Sequence, residues 1–271
     1  MLEHALVWLA GGSLLAFSGI AFVLLAAVCG IGIQIGDRRI RRRAKGERGH
    51  EREGVATIVQ GMVGLVTFTL ALSIGYAQDR AETRRDLVVT EANAIGAAWL
   101  RTKTVAGEEG PAIAKLIEEL AKVELAFTIA TSTEPEAALN ARRSALQDQI
   151  WTLAQIVARR DPNDITSNLI SALNDMFNAE LALRFTFDSR LPLSLSLMLL
   201  SGALLAVGAM GYHFGLTEAR HPVLVSLLLV MLTGGIAFFL DVNRPRIGMT
   251  HVNPAPLVWT IEAFAAPSPP H

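Results

Sequence analysis

The chain has 271 residues, 24 basic and 25 acidic side chains, a net charge of -1, 51% hydrophobic residues and a mean hydropathy of +0.39. The charge balance argues against a nucleic-acid partner, the lone Cys29 excludes an internal disulfide, and the apolar content excludes a disordered chain. The average hides a partition: Ala5–Gly36, Gly54–Gln78, Leu191–Leu216 and Pro222–Leu240 contain no Asp, Glu, Lys or Arg.

A helix needs about 20 apolar residues to cross a bilayer, and lipid obliges such a run to satisfy its own backbone. Four membrane-spanning helices are therefore predicted. The first run starts without basic residues and is too long for a signal peptide. Cys29 reads as a small packing residue, and Gly32 and Gly36 stand at the GxxxG spacing of close helix contacts. Trp8, Tyr76 and Tyr212 fall near the ends of runs, where amphipathic rings mark interfaces.

Residues 37–53 carry eight basic side chains, Arg38, Arg39, Arg41, Arg42, Arg43, Lys45, Arg48 and Arg52, against four acidic ones. By the positive-inside rule this loop is cytoplasmic. The N-terminus and residues 79–190 are then expected outside, which in a bacterial inner membrane is the periplasm.

In the second run Gln60, Gly64, Thr67, Ala71, Gly75 and Gln78 recur every three or four residues and share one helical face. Val59, Val63, Leu65, Phe68, Leu72 and Tyr76 occupy its other sides. Close helix packing explains the stripe, and is the preferred reading; a pore lining repeated around an oligomer axis also explains it. Four spans in one chain cannot enclose much of a pore, so transport would require self-association.

Residues 79–190 show no strand-like alternation. Apolar side chains recur at helical spacing, in Ile113, Leu116, Ile117, Leu120 and Phe127, and again in Leu169, Leu173, Met176, Phe177 and Leu181. Thr133-Glu134-Pro135-Glu136 reads as a helix start. Helices are predicted near 80–105, 111–131, 134–160 and 164–188, the first continuing the second span and the last leading through Pro192 into the third. The predicted domains are 1–78, a first hairpin; 79–190, a helical insert; 191–242, a second hairpin; and 243–271, a C-terminal tail. The fold class is all-α, with a helical-bundle insert between the second and third spans.

No charged residue lies inside the apolar runs, so no proton relay or ion-coupling carboxylate is evident. The scattered histidines form no metal site, and no catalytic or nucleotide-binding motif occurs. No cofactor, no metal and no enzymatic activity are expected. Two segments carry a resemblance. Glu91-Ala-Asn-Ala-Ile-Gly-Ala-Ala-Trp-Leu-Arg101 follows the second run, and Leu240-Asp-Val-Asn-Arg-Pro-Arg-Ile-Gly248 follows the fourth. With the layout of spans, over roughly residues 5–260, they resemble the bacterial bestrophin-like family of membrane proteins. Asn243 stands where that family's ending has an acid, and Arg246 where it has an apolar residue. The resemblance implies kinship with bestrophins, oligomeric anion channels whose second span lines the pore. Their insert lies in the cytoplasm, opposite to what the basic loop predicts here. Motif position implies a boundary network of Glu91, Asn93, Asp241, Asn243 and Arg244, with Arg244 pairing Asp241 or Glu91. The functional expectation is a homo-oligomeric, channel-like protein for small ions, surrounded by lipid. The alternative is a structural or accessory subunit whose insert binds a protein partner.

Overall fold

The computed structural model describes residues 14–41, 48–130, 136–188, 193–217, 222–242 and 252–265. Every element among them is a helix: α1 Leu14–Arg41, α2 Arg48–Thr102, α3 Glu109–Ile129, α4 Glu136–Arg160, α5 Asp164–Asp188, α6 Leu193–Leu216, α7 Pro222–Val242 and α8 Ala255–Ala265. The chain is all-α, and α1, α2, α6 and α7 are long and apolar enough to cross a membrane. The second of them runs without a break for 55 residues. At ~1.5 Å per residue that is about 82 Å, far beyond a hydrocarbon core of ~30 Å. Only its charge-free part, Gly54–Gln78, suits lipid. Trp8 and Pro192 lie outside the described residues, as do Thr133, Glu134 and Pro135, directly ahead of the α4 start at Glu136.

The chain divides into two units, Met1–Gln78 with Leu191–Asn243, and Asp79–Arg190 with Arg244–His271. In the first unit α1 and α6 touch backbone to backbone. A Cβ added at Gly32 would lie 2.3 Å from the Gly208 carbonyl oxygen, and one at Gly36 would lie 2.4 Å from that of Tyr212. Reciprocally, a Cβ at Gly211 would meet the Cys29 oxygen at 2.2 Å, and one at Gly215 the Ile33 oxygen at 2.3 Å. Lipid supplies no hydrophobic drive between helices, so this approach, with the dispersion contact it permits, is what holds the pair. Cys29 is buried in the same seam. The apolar part of α2 buries Val59, Val66, Ser73 and Ala77, with Val66 against Gly202 of α6 and Leu70 against Gly235 of α7. Ser73 and Thr69 donate to carbonyls one turn back, so neither hydroxyl needs an outside partner.

In the second unit the later part of α2, α3, α4 and α5 surround an apolar core that includes Ile95, Ile113, Ile117, Ile150, Leu169 and Leu173. The α2–α3 turn passes through Gly107 at φ +95, a left-handed conformation that suits glycine. Arg160, at the end of α4, closes over this turn through Glu109 Oε1 at 2.6 Å and the Ala106 carbonyl at 2.8 Å. Asn163 caps α5 by accepting from the Thr166 amide at 3.0 Å. The apolar helix α8 belongs to this unit rather than forming a tail of its own: Leu257 is fully buried, and Phe264 stacks 4.7 Å from Trp99. The stripe expected on α5 shifts at its end. Leu181 is 64% exposed, and the buried register continues from Met176 through Glu180 to Leu183.

Candidate functional site

The six-residue stripe on α2, Gln60, Gly64, Thr67, Ala71, Gly75 and Gln78, is exposed along its whole length. Nothing lies within 4 Å of a Cβ built at Gly64 or Gly75. The helix buries another face, so among the described residues the stripe makes no close packing contact. Leu65, Phe68, Leu72 and Tyr76 continue the exposed surface next to it. The stripe and these side chains together form a broad exposed surface in the membrane-length segment.

Of the residues expected at the boundary, Asp241 belongs to the first unit and Glu91 and Asn93 to the second. Asn243 and Arg244 lie outside the described residues. Asp241 is buried within its own unit, whereas Asn93 is exposed. Glu91 is 0% exposed in the core of the other unit.

Around Glu91 the second unit holds a cluster that spacing alone does not reveal. Each of its four longer helices contributes one charged side chain to it from its buried face: Glu91 on α2, which also buries Arg84, Glu124 on α3, Arg143 on α4 and Glu180 on α5. Arg143 is the hub. Its Nε and Nη2 donate to Glu124 Oε1 and Oε2 at 2.6 and 2.8 Å, a two-pronged pair. The same Nε lies 2.9 Å from Glu180 Oε1, and Nη1 donates to Asn140 Oδ1 at 2.7 Å. Gln147 donates to the other oxygen of Glu180, and the Phe127 ring lies 4.7 Å from the guanidinium carbon. Glu91 stands apart, for neither of its oxygens has a hydrogen-bond partner.

Burial raises all three carboxyls. It pushes Glu91 well above the ordinary range, helped by the charges of Glu124 and Glu180 and opposed by Arg143. Glu124 is raised by burial despite its bond to Arg143. Glu180 is pushed up to about 7 by burial and by the charge of Glu124, with Arg143 and Arg184 acting against the shift. Such an arrangement can store or release protons. Among the described residues no three His, Cys, Asp or Glu side chains converge as metal ligands. The signal in the sequence was one charge in the apolar register of each helix, such as Glu124 between Leu120 and Phe127.

A family model described as a bestrophin-like domain matches residues 21–257. The chain is also similar in fold to the crystal structure of a point mutant of a bacterial bestrophin homologue from Klebsiella pneumoniae. The TM-score is 0.59 and the identity 12%, over 90% of this chain and 96% of that one. No curated protein matches.

Proposed function

We propose, from the premise that the chain belongs to the bestrophin-like family, that it is a homo-oligomeric ion channel of the bacterial inner membrane. In this reading the stripe from Gln60 to Gln78 faces the oligomer axis. The observation that carries it is the exposure of that stripe on a helix of membrane-spanning length. Two glutamines and a threonine turned to lipid would each lose hydrogen bonds to water, whereas an aqueous axis keeps them solvated. The neighbouring Leu65, Phe68, Leu72 and Tyr76 are apolar and exposed, as a surface against the next subunit should be. A single copy of the chain cannot enclose such an axis, so the function depends on assembly.

The basic loop places residues 79–190 in the periplasm in this reading. In a Cys29→Ala background, a cysteine at Lys103 is then labelled by a membrane-impermeant maleimide added to spheroplasts, and one at Ala44 is not.

The test of function is a planar-bilayer recording of purified protein beside its mass in mild detergent. A discrete oligomer with ion currents altered by Thr67→Val or Gln60→Leu supports the proposal. A monomer, or an oligomer without conductance, overturns it. An oligomer without conductance that co-purifies in fixed stoichiometry with a second protein would favour the accessory-subunit reading.

A further inference from the structure

The polar cluster in the second unit has no role in ion passage as proposed above, and its charges do not balance. Glu91, Glu124 and Glu180 are three buried carboxyls, and Arg143 is the guanidinium bonded among them; Arg84, also buried on α2, does not act on Glu91. If all four were ionised, the cluster would hold two negative charges that Arg143 does not balance, an expensive state in a low-dielectric interior. Arg184 adds positive potential at Glu124 and Glu180 from a half-buried position on α5. The most isolated member is Glu91, wholly buried and with both oxygens unpartnered. Helix α8 contacts α2 through the Thr260 hydroxyl, which lies 3.4 Å from the Ala92 carbonyl oxygen that accepts from it, and α8's acidic residue, Glu262, is exposed. Among the described residues, the charged groups facing Glu91 are therefore Glu124 from α3, Arg143 from α4 and Glu180 from α5.

We propose that this core is a proton-binding site: Glu91 carries a bound proton as a neutral acid, and Glu180 gains or loses a second. The packing of α2, α3, α4 and α5 then depends on proton concentration. Glu124 stays ionised against Arg143, whose two-pronged bond to it is the strongest in the cluster. Glu180 is the exchanging member because it shares Arg143 at the longer distance and keeps some contact with solvent. The sign follows from linkage. Glu180 moves from an ordinary value of 4.5 up to about 7 in the folded protein, and Glu91 moves in the same direction. The folded state therefore binds more protons than the unfolded chain above pH 4.5. Stability from Glu180 is fully present below that value and is lost as pH rises through about 7. This inference rests on the second unit alone and stands whether or not the protein conducts ions.

The experiment uses the full chain in detergent. Trp99, Trp151 and Trp259 lie in the second unit and Trp8 in the first, so in a Trp8→Phe background tryptophan fluorescence reports melting of the second unit. The melting temperature is measured from about pH 5 to 8.5, where a proton site predicts a fall on the order of 5 °C or more with rising pH. Glu180→Gln is expected to flatten the part of the profile near neutrality. Infrared spectra at neutral pH are expected to contain the carbonyl stretch of a protonated acid, which Glu91→Gln removes and Glu180→Gln leaves in place. A wild-type profile that superimposes on that of the Glu91→Gln/Glu180→Gln double variant would overturn the proposal, as would the absence of that band. Calcium or magnesium raising the melting temperature of wild type but not of Glu91→Gln would also overturn it, in favour of a metal site.

Discussion

The two units solve the same packing problem with opposite materials. In the membrane-length unit, α1 and α6 meet through Gly32, Gly36, Gly208, Gly211 and Gly215, where backbones touch and side chains are absent. In the other unit, Ile113, Ile117, Ile150 and Leu173 fill the space between helices, and that core hides an arginine and three glutamates. A helix surrounded by lipid gains nothing from apolar burial as such, so closeness is what it can gain. A helix surrounded by water gains from every methyl group removed from solvent, and that surplus can carry a buried ionic cluster. Substitutions should therefore act through charge in one unit and through volume in the other.

The largest effect is expected from Arg143→Met. It removes the hub and leaves Glu124 and Glu180 facing each other without a cation. Breaking a buried pair on one side costs about 3–5 kcal/mol, measured by denaturant unfolding at neutral pH. The loss should shrink at lower pH, where both carboxyls take up protons. An equal loss at every pH would mean that Arg143 matters for its packing against Phe127 rather than for charge.

The volume side of the contrast is broken at Gly211→Ala. A methyl group there would sit 2.2 Å from the Cys29 carbonyl oxygen, which is backbone and cannot swing away. The helices must separate, at a cost of about 1–3 kcal/mol and without pH dependence, since no charge is involved. Gly234→Ala is the control, because nothing lies within 4 Å of its added Cβ. Both are read by unfolding in mixed detergent.

A smaller effect is expected at Gly107→Ala. The left-handed backbone at φ +95 costs an alanine about 1–2 kcal/mol. The new methyl group would also press on Glu109 and Arg160, the pair that closes this turn. A lowered melting temperature of the second unit, read by its tryptophans, checks this.

The same contrast explains what the sequence made legible. Four charge-free runs announce four spanning helices because lipid tolerates little else, and the helical period of Ile113, Ile117 and Leu120 announces the insert. Periodicity names the face of a helix but not the face it meets. Glu91, Glu124, Arg143 and Glu180 are separated by tens of residues, and each alone resembles a solvated charge. Small-residue spacing is ambiguous for the same reason. Gly32 and Gly36 are pressed against another backbone, while Gly64 and Gly75, in a similar pattern, have none of the described residues within 4 Å of an added Cβ.

That ambiguity sets the smallest stability effect and the sharpest comparison. Gly64→Ala puts a methyl group where none of the described residues lies within 4 Å, so no contact among them opposes it. Helix propensity alone favours alanine over glycine by up to about 1 kcal/mol. Unfolding of the single chain should therefore be unchanged or slightly harder, unlike at Gly211, where the same substitution meets backbone. If the stripe faces a conducting axis, Gly64→Ala still narrows that axis once in every subunit, and ion currents should fall although stability does not. If currents are unchanged and the oligomer itself weakens, the stripe is a contact between subunits, and the axis must be lined by other residues.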